Sequence, residues 1–329
     1  MKAKLESPVY RGERVELYKR IPLVTPLVVY TELSGYCNLK CEFCPQKTDS
    51  KFLKKDIMSV NLFKKLIDDL AVFPEKIKLL RLCGTGEPLV NKDIVKMMQY
   101  AKERGVVERI ELITNGTLLN ADLIKNLPRF ADRIMVSVEG LSSEDYKNIC
   151  SANINFQNLL DNLGTLYANK KKCVIYIKIH NQAIPSERKK TKFLNMFSDR
   201  CDEIFIEKLV PIWPQANSAY STKEIRWGGG KITKCQICVQ FFKGVQVQAD
   251  GEVVPCCVDW KRVNVLGDIN KNSFAEIWNG EKMKKLRMEH LKGNKGITEP
   301  CKDCTMNDCC DPDNIDQHAK ECMLRLQNN

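Results

Sequence analysis

Short apolar, β-branched runs alternate with amphipathic segments from residue 26 to about 210. The runs are PLVVYTEL (26–33), IKLLRLCG (77–84), RIELITNG (109–116), RIMVSVEG (133–140), CVIYIKIH (173–180) and EIFIEKLV (203–210), each of strand length. Between them Leu62, Phe63, Leu66, Ile67 and Leu70 recur at helical spacing, as do Ile94, Val95, Met97, Met98 and Ala101 ahead of Gly105. Six strand–helix units in succession predict an α/β fold built on a parallel sheet, a partial (β/α)6 TIM-like barrel shorter than the eightfold form. In such barrels the loops after the strand C-termini carry the chemistry. Here GYCNLKCEFCPQ (35–46), GTGEP (84–88), TNG (114–116) and SVEG (137–140) fall on that rim.

After residue 210 the alternation stops. PIWPQANSAYSTKEIRWGGGKITK (211–234), with its prolines and glycine triplet, predicts a linker. GVQVQADGEVVPC (244–256) predicts a β-hairpin turning at Asp250 and Gly251, and SFAEIWNGEKMKKLRMEHLKG (273–293) a helical stretch broken at Asn279 and Gly280. The last thirty residues, polar and rich in cysteine, are expected to be irregular. The chain thus divides into an N-terminal extension (1–25), a barrel (26–210), a linker (211–234) and a small cysteine-rich C-terminal domain (235–329).

At 329 residues and 43% hydrophobic content the chain can bury a sizeable core. Its charged N-terminus and the lack of any run of about 18 apolar residues lead us to expect a soluble, cytoplasmic protein with no membrane partner. In a reducing compartment sixteen cysteines are better explained as ligands than as disulfides. The net charge of +11 comes mainly from lysine-rich stretches such as 169–173 and 186–193, which suit solvated faces and can also attract an anionic partner. No basic tract is interleaved with aromatics, so nucleic acid is disfavoured.

Cys37, Cys41 and Cys44 form a C-x3-C-x2-C array directly after the first strand. Four thiolates complete a zinc site or an iron–sulfur cluster, whereas three leave one metal with an open position. A histidine could complete a zinc site, but His180, His290 and His318 all lie far from the array in sequence. The spacing, with Phe43 ahead of the last cysteine, resembles the signature of the radical S-adenosylmethionine (SAM) superfamily. The resemblance implies a [4Fe–4S] cluster on Cys37, Cys41 and Cys44 whose open iron binds SAM, and an electron donor such as flavodoxin or ferredoxin. GTGEP is similar to that family's glycine-glycine-glutamate motif, implying that Gly86 and Glu87 meet the methionine amino group, though Thr85 stands where glycine is usual. ITNG and SVEG are similar to its ribose and adenine segments, which implicates Asn115, Ser137 and Glu139 in cofactor binding; Asn115 and Gly116 would equally serve as a plain turn.

The second cysteine array resembles the family's SPASM extension or its shorter twitch form, which holds auxiliary iron–sulfur clusters. Cys238 is followed by twelve residues, Gly251, four residues and Cys256; CKDC (301–304), Cys310 and Cys322 come later. Asn314 occupies the place of a seventh SPASM cysteine. The resemblance implies one auxiliary [4Fe–4S] cluster on Cys238, Cys256, Cys301 and Cys304. Alternatively, Cys301, Cys304, Cys310 and Cys322 hold one cluster, and Cys235, Cys238 and Cys256 or Cys257 form an incomplete second. A zinc ribbon remains open for CKDC.

IRWGGGKI (225–232) and the hairpin together resemble the branch of 2-deoxy-scyllo-inosamine dehydrogenase and related sugar and aminocyclitol enzymes, so that Arg226 is implied near the substrate. That branch removes hydrogen from a carbinol carbon. Epimerisation is the related outcome, with Cys83, Cys150, Cys173, Cys201 or Cys257 as thiol donor. The rival enzymatic readings are modification of a ribosomally made peptide or of a partner protein. Only 36 residues precede Cys37, too few for the peptide-recognition domain often found there. A metal-stabilised binding module is the non-catalytic alternative.

Overall fold

The structure is a computed structural model that describes residues 2–7, 15–210, 226–229, 231–232, 234–310 and 313–328. Most of the expected linker, 211–225 with 230 and 233, lies outside the described residues. One ten-stranded sheet organises the chain: β1 (Lys4–Leu5), β2 (Val28–Thr31), β3 (Leu79–Leu82), β4 (Ile110–Thr114), β5 (Arg133–Val138), β6 (Val174–His180), β7 (Glu203–Glu207), β8 (Gly244–Val247), β9 (Glu252–Val254) and β10 (Gly267–Asp268). Their order is β1-β7-β6-β5-β4-β3-β2-β8-β9-β10. The six predicted strands pair in parallel and in sequence order, as consecutive strand–helix units must.

The helices form where the spacing places them. Val60–Asp69 starts at Ser59, whose hydroxyl accepts the Leu62 N–H, and buries Phe63, Leu66 and Ile67; Ile94–Arg104 ends at left-handed Gly105 (φ 63°). Alternate strand residues, among them Leu80, Leu82, Leu112, Val136, Ile177 and Ile204, pack against these helices in one apolar core. The intervening positions face the other way, and several of them are charged, among them Arg81, Glu111, Arg133 and Glu203. Glu111, fully buried, takes hydrogen bonds from Arg81 Nη2 (2.7 Å) and Nε (3.0 Å). Arg109 lies 3.1 Å and Arg133 4.0 Å from its other oxygen, and Arg133 reaches on to Glu203 (2.5 Å). The guanidiniums of Arg81 and Arg133 lie over the Tyr30 and Tyr176 rings. The inner face of this sheet is therefore an ion-paired, aromatic-lined surface, unlike the branched apolar filling of an ordinary barrel.

Three departures from expectation concern the ends. Residues 4–5 of the extension join the sheet beside β7. The hairpin turns at Gly251 (φ 100°) as expected, but it continues the barrel sheet: β8 pairs in parallel with β2, and Gly244 meets Val28 so closely that a Cβ there would lie 1.9 Å from the Val28 carbonyl oxygen. The last thirty residues are not irregular. Met306–Cys310 and Ala319–Gln327 are helical, because Cys322 and Leu326, four apart, supply the buried stripe that a polar, cysteine-rich composition conceals. Helix Phe274–Trp278 and helix Glu281–Leu291 break at Asn279 and Gly280.

Gly244→Ala must push β8 off β2. We expect it to cost about 1–3 kcal/mol by overpacking, read as a lower urea midpoint, with faster proteolysis after residue 210 marking where the sheet has opened.

Candidate active site

The loop after β2 carries Cys37, Cys41 and Cys44, each half-buried. Gly86 seats the β3 loop against it: a Cβ at Gly86 would lie 2.1 Å from the Ser34 carbonyl oxygen and 2.5 Å from that of Tyr36. Thr85, the departure from glycine, has a partner of its own, since buried Glu32 accepts both its N–H and its hydroxyl at 2.7 Å. The Glu87 carboxylate is buried and accepts from Leu89 N (3.0 Å), Thr114 Oγ1 (2.6 Å) and Asn115 N (2.8 Å). It therefore splices the β3 loop to the β4 loop, with acceptor capacity left on Oε2. Asn115 Nδ2 donates to Asn38 Oδ1 (3.0 Å), tying the β4 loop to the cysteine loop in turn.

These thiols have no cation of sufficient strength beside them. Burial pushes Cys37 up to about 11 and Cys44 up to about 12, while Cys41 is raised first by its hydrogen-bond contact with Cys150, the two sulfurs 3.6 Å apart, and then by burial. Thiolates in this loop need charge from a metal, and the donor set fits a group bound through sulfur. Cys150 is thus packed against the array, whereas Cys201 donates back to the Phe197 carbonyl of its preceding helix.

Ser137 is half-buried on β5, and Glu139 sits just beyond it. Burial pushes the Glu139 carboxyl up to about 8, with Lys178 opposing and Glu207 reinforcing. His180, at the end of β6, packs edge-on to Phe43 at 4.9 Å, so the structure brings next to the array a histidine that is distant in sequence. Burial pushes it down to about 4; Nδ1 accepts the Ala183 N–H, and Nε2 lies 3.4 Å from Glu139 Oε2 without hydrogen-bond geometry to it. Lys178 and Glu207 pair at 2.8 Å, and Glu207 also accepts the Trp227 indole N–H at 2.5 Å. Arg226 is half-buried beside Trp227, its Nε without a partner among the described residues. The signal for Lys178, His180 and Glu207 was present as period-two polar positions in YIKIH and EIFIEK.

A second site lies under the hairpin. Cys238, Cys256, Cys301 and Cys304 line one pocket, together with His290 and Lys295. Burial pushes Cys304 up to about 12 and raises Cys256 well above the usual thiol range, with the neighbouring thiols adding. Among the described residues no three Cys, His, Asp or Glu side chains converge on a single ion, and what the wall offers is four thiols from three segments of the chain. Cys310 is near enough to Cys304 and Cys257 to feel their charge but is not on the cavity wall. Cys322, the other member of the alternative set with Cys301, Cys304 and Cys310, is also not on that wall, and its thiol lies 3.8 Å from the Tyr18 carbonyl oxygen. Cys83 and Cys257 are half-buried thiols beside Arg81, and burial of the thiol pushes Cys83 up to about 12.

Against known proteins, the family model of the radical SAM superfamily matches residues 31–189, and that of an iron–sulfur cluster-binding domain, SPASM, matches residues 230–305. The tungsten-containing aldehyde ferredoxin oxidoreductase cofactor-modifying protein of Pyrococcus furiosus is 26% identical over 335 residues, covering 86% of this chain and 88% of its own length. BtrN in complex with AdoMet and 2-DOIA superposes with a TM-score of 0.56 at 19% identity, covering 87% of this chain and 96% of that one. Streptococcus suis SuiB bound to precursor peptide SuiA gives 0.63 at 14%, covering 82% and 69%. At these identities the two structures show the fold alone. Among the described residues no helix is long and apolar enough to cross a membrane.

The buried Glu139 carboxyl gives a pH test on the protein without cofactors. Its folded pKa lies above the unfolded value of 4.5, so its contribution is complete below pH 4.5 and is lost as pH rises towards 8. The stability of the wild type relative to Glu139→Gln should therefore fall across that window and level off above it, measured by urea unfolding at stepped pH.

Proposed function

Since the chain belongs to the radical SAM superfamily and carries an iron–sulfur cluster-binding SPASM domain, we propose that it removes a hydrogen atom from a carbinol carbon of a sugar or aminocyclitol, giving dehydrogenation or epimerisation. SAM with its [4Fe–4S] cluster supplies a 5′-deoxyadenosyl radical, and an auxiliary cluster supplies an acceptor for a second electron. Cys37, Cys41 and Cys44 hold the first cluster. The Gly86 loop presents backbone to the methionine part, while Glu87 positions that loop against Asn115; Asn115, Ser137 and Glu139 line the nucleoside side. Residues 26–210 form the catalytic barrel and 235–329 the auxiliary domain.

The observation that carries the reading is the cavity walled by Cys238, Cys256, Cys301 and Cys304, which supports one auxiliary cluster with four protein thiolates and no iron left open for substrate. Substrate is then held by side chains. Arg226, its Nε unpartnered among the described residues, and the Lys178–Glu207–Trp227 set offer donors and acceptors at the mouth of a charged sheet face, which suits a small hydroxyl-rich molecule. The likeness to BtrN bound to AdoMet and 2-DOIA supports the same class. The likeness to SuiB with its precursor peptide supports a second reading in which a peptide or partner protein is modified.

Anaerobic reconstitution separates the two metal sites. The wild type should bind about eight irons per chain, falling to about four when Cys37, Cys41 and Cys44 are all replaced by alanine. Cys301→Ala with Cys304→Ala should still cleave SAM but form no product. Deuterium placed on the carbinol carbon of candidate cyclitols should appear in 5′-deoxyadenosine. Its arrival only from a labelled peptide or protein would replace the first reading with the second.

Arg226→Ala should raise the KM for the cyclitol at least tenfold while leaving uncoupled SAM cleavage intact, as steady-state kinetics would show.

A further inference from the structure

The cavity under the hairpin contains a side chain whose hydrogen bonding is incomplete. His290, within helix Glu281–Leu291, is wholly buried, and among the described residues neither ring nitrogen has a hydrogen-bond partner. Its ring stands edge-on to Phe241 at 4.4 Å and lines the same cavity as the four cysteines. An imidazole in any protonation state carries at least one N–H, and a buried donor without an acceptor is rare enough to demand an explanation. Neighbouring polar groups on the wall are already engaged. Asn307 donates to the Ile237 carbonyl at 2.8 Å and accepts from Val239 N at 3.3 Å, while Met306 N donates to Cys304 Sγ at 3.4 Å.

We propose that His290 donates a hydrogen bond to a sulfur atom of the auxiliary [4Fe–4S] cluster and so sets its reduction potential. The proposal rests on the reading of Cys238, Cys256, Cys301 and Cys304 as that cluster's ligands. A donor aimed at cluster sulfur stabilises the reduced form more than the oxidised form, because reduction adds negative charge to the sulfurs, and the potential rises. Lys295, half-buried on the same wall, acts in the same sense through its charge, but its flexible stem gives no fixed direction. His290 is thus a positioning residue for the electron acceptor and does not touch the reacting carbon.

The test uses the full chain with Cys37, Cys41 and Cys44 replaced by alanine, so that only the auxiliary cluster is seen. His290→Phe and His290→Gln are reconstituted in that background, and iron, labile sulfide and the EPR-monitored midpoint potential are measured. We expect about four irons and four sulfides in each, a more negative potential for His290→Phe, and recovery towards the parent for His290→Gln, which keeps an N–H donor. His290→Leu is read in the same way should the phenylalanine variant not accumulate. An unchanged potential with the cluster intact would overturn the proposal. Loss of iron from a folded His290→Phe chain would overturn it in favour of His290 as an iron ligand. A parent that binds no iron would instead bring down the four-cysteine reading, and the proposal with it.

Discussion

Glu111 is a carboxylate with no exposed surface, in the middle of a parallel sheet, and three arginines surround it. Burial alone would raise its pKa, but Arg81 and Arg109, with the Arg81 hydrogen bonds, hold it below the usual carboxylate range. Removing one partner from such a set leaves a buried charge uncompensated, at a cost of about 3–5 kcal/mol. The constraint reaches beyond β4. Because Arg81, Glu111 and Arg133 sit at matched register on three adjacent strands, the pairing keeps β3, β4 and β5 in step. Their C-terminal loops, GTGEP, TNG and SVEG, therefore reach the rim at fixed relative heights.

On that rim a second buried carboxylate does the fine positioning. Glu87 satisfies donors from its own loop and from the next, and Asn115 passes the connection to Asn38 between Cys37 and Cys41. Three loops separated by tens of residues in sequence thus become one hydrogen-bonded unit. A substrate entering above it meets preorganised backbone, so little conformational freedom is left to lose on binding.

Most of the barrel was legible in the chain. The six strands follow from β-branched runs, and the helix bounds from Ser59 and Gly105, because these signals are local. The cysteine loop was legible for the same reason, as three thiols within eight positions. What escaped was nonlocal. His180 comes to Phe43, and His290 to the four thiols, through packing between elements far apart in sequence. Glu87 carries a recognisable motif, yet its carboxylate's engagement with Thr114 and Asn115 depends on strand register. The helical C-terminus was missed because cysteines at helical spacing are both apolar packing residues and potential ligands, and composition does not separate the two.

The pairing of β8 with β2 has a consequence for how such a chain can be divided. β2 delivers the first cysteine loop, and among the described residues its outer edge pairs with β8, the first strand of the hairpin that leads to Cys256. Cut after the barrel, the chain would present that edge bare, a template for pairing with other copies. The cysteine-rich part is thus an edge cap as well as a metal-binding region, and the two parts are not modules that could be exchanged freely: a barrel that acquired a different partner would first need another strand to shield β2.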